Sequence, residues 1–141
     1  MKAERARLKR LQRLERVRAI AKQNAASQAA QAESTRAQLE ALAERTRRLA
    51  ADYAGQTGHS DGAALRQRSH FAEGLYGVVA ATAGDARRAG VHADETMAEL
   101  GRAERRRAVV EERADAQSRT IARKAEKPVL GTRRPVGTAF E

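Results

Sequence analysis

There is no cysteine and no tryptophan in these 141 residues, and aromatic side chains make up only 3% of them. The missing cysteine excludes disulfides, thiolate metal sites and thiol catalysis together, and it fits a reducing compartment. The missing aromatics bear on the size of any core, because burial energy scales with apolar area. Of the 41% of residues that count as hydrophobic, most are alanine, with Leu and Val scattered between them. That is too little bulky surface for a globular core, whereas a seam between two helices needs far less. Long apolar runs are also missing. The longest, Leu75 to Gly84, is too short to span a bilayer, and no apolar signal segment follows the basic N-terminal stretch. These features read as a cytoplasmic protein.

What is present is the composition of long helices: Ala, Arg, Glu, Leu and Gln dominate, and 33% of residues are charged. Disorder is the competing class for so polar a chain, but the helix propensity of this residue set is high throughout. From Lys2 to Ala54 there is neither Gly nor Pro, so nothing interrupts a helix of about 50 residues, roughly 80 Å at 1.5 Å per residue. Punctuation then arrives together in Gly55-Gln-Thr-Gly-His-Ser-Asp-Gly62. It supplies a helix stop at Gly55 and, in Ser60 and Asp61, an N-cap for a second helix. The pattern turns helical again from Ala63 to about Lys127, where Pro128 ends it. The fold class expected is all-α: a long antiparallel two-helix coiled-coil hairpin over residues 1–127 with its turn at 55–62, and a flexible C-terminal tail over 128–141.

A heptad register in the first helix runs through Leu11, Arg18, Ala25, Ala32, Leu39, Thr46 and Tyr53, with companions Leu14, Ala21, Gln28, Thr35, Leu42 and Leu49. In the second, Leu65, Ala72, Val79, Ala86, Ala93, Leu100, Arg107, Ala114 and Ile121 keep the spacing, with companions Leu75, Thr82, Ala89, Thr96, Ala103 and Val110. Folding back at the turn places Leu42 on Val79, Leu49 on Ala72, Ala21 on Leu100 and Leu11 on Val110. Large then meets small, so two Ala-rich helices can approach closely. Gly74, Gly77, Gly84, Gly90 and Gly101 fall inside the second helix, each costing about 1 kcal/mol relative to Ala. They read as small residues at a tight interface, with bending or fraying expected near Gly74 to Gly90.

The net charge of +10 is unevenly placed. Residues 1–18 carry eight Lys and Arg against two Glu, and residues 102–134 carry eleven against five, while the remainder is slightly acidic. In a hairpin these two basic segments are neighbours at the open end. Arg10, Arg13, Arg106 and Arg107 are the candidate side chains there for an acidic protein partner, against the plainer reading of a solvated helix face. Nucleic acid is the weaker reading: Arg and Glu are interleaved, no aromatics stand ready to stack on bases, and no DNA-binding layout is present. Membrane-surface association lacks Trp or Phe anchors.

No catalytic constellation emerges. The glycine-rich turn lacks the Lys-Ser or Lys-Thr ending of a phosphate loop and follows a helix rather than a strand. His70 and Glu73 lie three apart but are too few for a metal site, and no Ser or Thr has a base and orienter nearby in sequence. The expectation is a non-enzyme without cofactor or metal. The few bulky residues are better clues. Leu49, Tyr53, Phe71, Leu75 and Val78 gather beside the turn, more than one two-stranded seam can cover. Either they dock a protein partner, or they widen the seam locally and cap the hairpin.

This layout resembles the FliJ family of bacterial flagellar export proteins and its virulence-system relatives of the YscO type. The resemblance covers about residues 2–127. It rests on length and a basic, Leu-rich start (Arg7-Leu-Lys-Arg-Leu-Gln-Arg-Leu14), on Leu39 to Tyr53 closing the first helix, on the turn, on His70-Phe71-Ala72-Glu73-Gly74-Leu75, and on the basic stretch Arg102 to Arg113. The Trp that the family often carries in helix two and its charged Glu-Gln-Lys run near the C-terminus are not present. What the resemblance implies is a hairpin like the central stalk of rotary ATPases, its paired termini inserted in the hexameric export ATPase and its mid-to-tip surface on the membrane export gate. It also implies escort of export chaperones, and a place in the cytoplasm peripheral to the inner membrane. An unrelated structural coiled coil that oligomerises is the alternative, followed by a basic nucleic-acid-associated rod.

Overall fold

The computed structural model describes residues 1–56, 58 and 61–126. Two helices carry the chain, α1 (Lys2–Gly55) and α2 (Gly62–Glu126), packed against each other as a helical hairpin with no strand among the described residues. The expected tail and the helix stop at Pro128 lie outside the described residues. At the turn, the Asp61 carboxylate accepts a hydrogen bond from the Ala64 amide at 2.7 Å, capping the otherwise unpaired donors that begin α2. The Arg68 guanidinium donates to the carbonyls of Gly58, at 2.8 Å, and Gln56. It thereby holds the end of α1 from the first turns of α2.

Contacts group the chain into two units, Gln23–Gly101 and Met1–Lys22 with Arg102–Glu141. In the first, the buried and half-buried residues of the seam recur at alternating spacings of three and four residues. Ala25, Ala29, Ala32, Arg36, Leu39, Ala43, Thr46, Ala50 and Tyr53 of α1 meet Arg68, Ala72, Leu75, Val79, Thr82, Ala86, Ala89, Ala93, Thr96 and Leu100 of α2. The most buried are alanines: Ala29, Ala32 and Ala93 at 5% exposure and Ala50 at 7%. The pairing is antiparallel, with the Thr46 and Thr82 hydroxyls 3.1 Å apart and Arg36 reaching Asp94 at 3.7 Å.

From Ala72 onward the α2 series expected from sequence, with its companions, lies in the seam of one unit or the other. In α1 the companions need correction. Leu42 and Leu49 are about half exposed, Gln28 and Thr35 are exposed, and the seam is filled by the next residue along, Ala29, Arg36, Ala43 and Ala50. Leu42 is therefore not seated on Val79, nor Leu49 on Ala72, and Leu65 is also exposed. Alanine at these positions lets the backbones come close enough for extensive van der Waals contact, which leucine throughout this column would reduce.

The terminal unit is built the same way but with charge in its seam. Glu4, Leu8, Leu11, Glu15, Arg18 and Lys22 meet Ala103, Arg107, Val110, Ala114, Gln117 and Ile121, and Val110 and Ala114 are the best buried. Lys124 hydrogen-bonds Glu4, which lowers the Glu4 pKa, and Arg107 lies 3.8 Å from Glu15. Ionic groups in a seam fix register more than they add stability: the Nε atoms of Arg18 and Arg107 are buried without a hydrogen-bond partner.

The glycines of α2 also correct the sequence reading. The helix is unbroken through Gly74 to Gly90, and no described glycine has a positive φ. Gly74 and Gly77 do not serve a tight interface, since a Cβ added at either meets nothing within 4 Å. Gly74→Ala with Gly77→Ala is therefore expected to stabilise the fold by about 2 kcal/mol through helix propensity and a less flexible unfolded chain, read as a rise in denaturant midpoint at unchanged slope.

Candidate docking surfaces

The turn-proximal residues are organised by the register. Tyr53 comes from the last turn of α1 and Phe71 from the third turn of α2. Their rings meet edge to face with centroids 4.7 Å apart, a favoured arrangement for aromatic pairs. The Arg68 guanidinium lies 5.6 Å from the centre of the Tyr53 ring, within cation–π range. Because the same guanidinium binds the turn carbonyls, the aromatic pair is tied to the turn on a fixed base. A shallow depression between these side chains is lined by Tyr53, Ala64, Gln67, Arg68 and Phe71.

Of the five residues singled out beside the turn, Tyr53 and Leu75 are half-buried in the seam, while Leu49, Phe71 and Val78 stand exposed. In an antiparallel pair the column flanking one side of the seam in one helix faces the matching column of the other. Leu42, Leu49, Phe71 and Val78 all occupy that flank, with exposures of 45%, 55%, 54% and 47%. Tyr53–Phe71 and Thr46–Thr82 contacts lie on this side, and Arg36 with Asp94 lies on the other. The result is one contiguous aliphatic and aromatic strip. Sequence reasoning missed Leu42 as part of it by assigning that leucine to the seam. The signal that would have found it is the neighbouring alanine series Ala29, Ala43 and Ala50.

The basic candidates are split by the structure. Arg10 and Arg106 are exposed on one flank of the terminal unit, Arg13 is exposed on its outer face, and Arg107 is half-buried in the seam beside Glu15. Elsewhere exposed charges pair locally along α1: Arg47 and Arg48 both bind Glu44, at 2.8 and 3.0 Å. Hydrogen bonds from Arg47 first and Arg48 second hold the Glu44 pKa down to about 2. His70 is exposed, and no group of three or more metal-ligating side chains occurs among the described residues. No described helix is long and apolar enough to cross a membrane. Chemically, these surfaces offer apolar area, guanidinium donors and fixed shape, which suit protein contact. No family model, curated protein or solved structure matches this chain.

Proposed function

We propose that the chain is a non-catalytic docking adaptor of a bacterial flagellar or related type III export apparatus, engaging the export ATPase and the membrane export gate from the cytoplasmic side. The observation that carries the docking role is the exposed strip of Leu42, Leu49, Phe71 and Val78 on one flank of a hairpin whose seam is already closed by alanine. Apart from the edge that Phe71 sets against Tyr53, this strip is exposed rather than buried in the seam, and aromatic anchors set among aliphatic neighbours are the usual centre of a protein interface. The export assignment draws on the resemblance of the Leu-rich basic start, the turn and the Phe71 segment to the FliJ family. The reading assigns the strip to the gate, the basic terminal unit to the ATPase, and export chaperones as further cargo.

Titration calorimetry of the full chain against the purified cytoplasmic domain of the export gate, and separately against the export ATPase, tests the assignment. Saturable binding at about micromolar affinity or tighter is expected. No saturable binding to either partner would overturn the export assignment.

A further inference from the structure

The charge of the terminal unit is segregated by flank, which the sequence count of cations does not show. Seam contacts mark the two sides: Glu4 meets Lys124 on one, and Glu15 meets Arg107 on the other. On the Glu4 side stand Arg7, Arg10, Arg106, Arg113 and Arg123, all exposed, and no Asp or Glu occupies the flanking columns there. None of these five guanidiniums pairs with a described carboxylate. Between them lie Leu14, Val17 and Val109, at 40%, 60% and 46% exposure. On the Glu15 side, Lys2, Arg5, Lys9 and Arg16 are interleaved with Glu104, Glu111 and Asp115. One flank is thus cationic and aliphatic, and the other is mixed.

We propose that the cationic flank of the terminal unit docks an acidic amphipathic helix of a partner protein, whose carboxylates lie on the arginines and whose apolar row covers Leu14, Val17 and Val109. Guanidinium forks match carboxylates in paired hydrogen bonds, and uncompensated arginines keep their pairing capacity for a partner. The aliphatic side chains decide between anions. A nucleic acid would leave them uncovered, and no ring is present among the described residues of this unit to stack on a base. A lipid surface is gripped by deeper aromatic anchors than two valines and a leucine supply. An acidic helix satisfies both halves of the surface at once. This inference deepens the adaptor reading by naming the chemistry of the partner at the basic unit. It fails separately from the export assignment, because the probe below is no component of an export apparatus.

The test is fluorescence anisotropy of the full chain with a labelled synthetic three-heptad helix bearing Leu at its a and d positions and Glu at its flanks. Reversing Arg10, Arg106 and Arg113 to Glu is expected to weaken binding at least about thirtyfold, whereas reversing Arg5, Lys9 and Arg16 to Glu, an equal change in net charge, weakens it no more than about threefold. Val17→Ser with Val109→Ser is expected to weaken it about fivefold without changing its salt dependence. Helicity by circular dichroism accompanies each variant, and Arg→Gln versions of both triples repeat the comparison should a reversal disturb the hairpin. Equal losses from the two triples would overturn the proposal, since the attraction would then be net charge alone. So would tighter binding, with the same flank dependence, to duplex DNA or to phosphatidylcholine vesicles containing about 30% phosphatidylserine.

Discussion

Phe71→Ala is expected to weaken binding to the gate's cytoplasmic domain at least about thirtyfold, which corresponds to about 2 kcal/mol. More than half of the Phe71 surface is open to solvent although one edge is braced by Tyr53. The ring therefore reaches a partner already oriented, without the entropic cost of ordering a free side chain. Truncation also removes the edge-to-face contact, so the melting temperature should fall by the equivalent of about 0.5–1.5 kcal/mol. Tyr76→Ala is the control, because Tyr76 is as exposed, at 58%, but lies on the opposite flank. Its affinity should stay within about twofold of the parent. An affinity for Phe71→Ala that is unchanged on the folded fraction, alongside a lowered melting temperature, would mean that the aromatic pair serves only to close the hairpin.

The second large effect sets an alanine against its leucine neighbour. Ala50→Asp should destabilise the fold by about 3 kcal/mol or more, because it places a carboxylate without a partner in the seam. Leu49→Asp, one residue away in the same helix, should cost less than about 1 kcal/mol, since Leu49 is 55% exposed. The two variants share distance from the turn and the same incoming side chain, so helix propensity and denatured-state effects largely cancel. Denaturant midpoints of both proteins measure the difference. The opposite order, with Leu49→Asp the more damaging, would restore the register that hydrophobicity alone suggests.

That contrast shows where the sequence was legible. In α2 the seam could be read because its bulky aliphatic residues Leu75, Val79, Leu100 and Val110 all fall on one spacing of three and four, with alanine and threonine at most positions between them. In α1 one column was right, from Leu11 to Tyr53. The other was displaced by one position, since Leu14, Leu42 and Leu49 outweigh Ala43 and Ala50 on any hydrophobicity scale. What decides in favour of alanine is the close approach of two backbones, a property of the pair that neither helix states alone. The glycines misled for a related reason: Gly74 and Gly77 look like close-approach residues until α2 is placed and they face open space. Among candidate site residues, Leu49, Phe71 and Val78 were legible from clustering beside the turn, while Leu42 was not. The segregation of arginines onto one flank of the terminal unit required the corrected register, because counting charges along the chain averages over both sides of a helix.

The claim on which the rest depends is that α1 and α2 of one chain close an antiparallel seam in the register that buries Ala50 and leaves Leu49 outside. Replacing Thr46 and Thr82 by cysteine tests it, because their hydroxyl oxygens lie 3.1 Å apart across the seam and the sulfur atoms would inherit positions compatible with a disulfide. Under mild oxidation the doubly substituted chain should form an intrachain bond, shown by a single monomeric species with faster non-reduced gel migration and no free thiol. A bond formed only between chains, or two thiols left free under conditions that oxidise exposed cysteine pairs, would contradict the hairpin in this register.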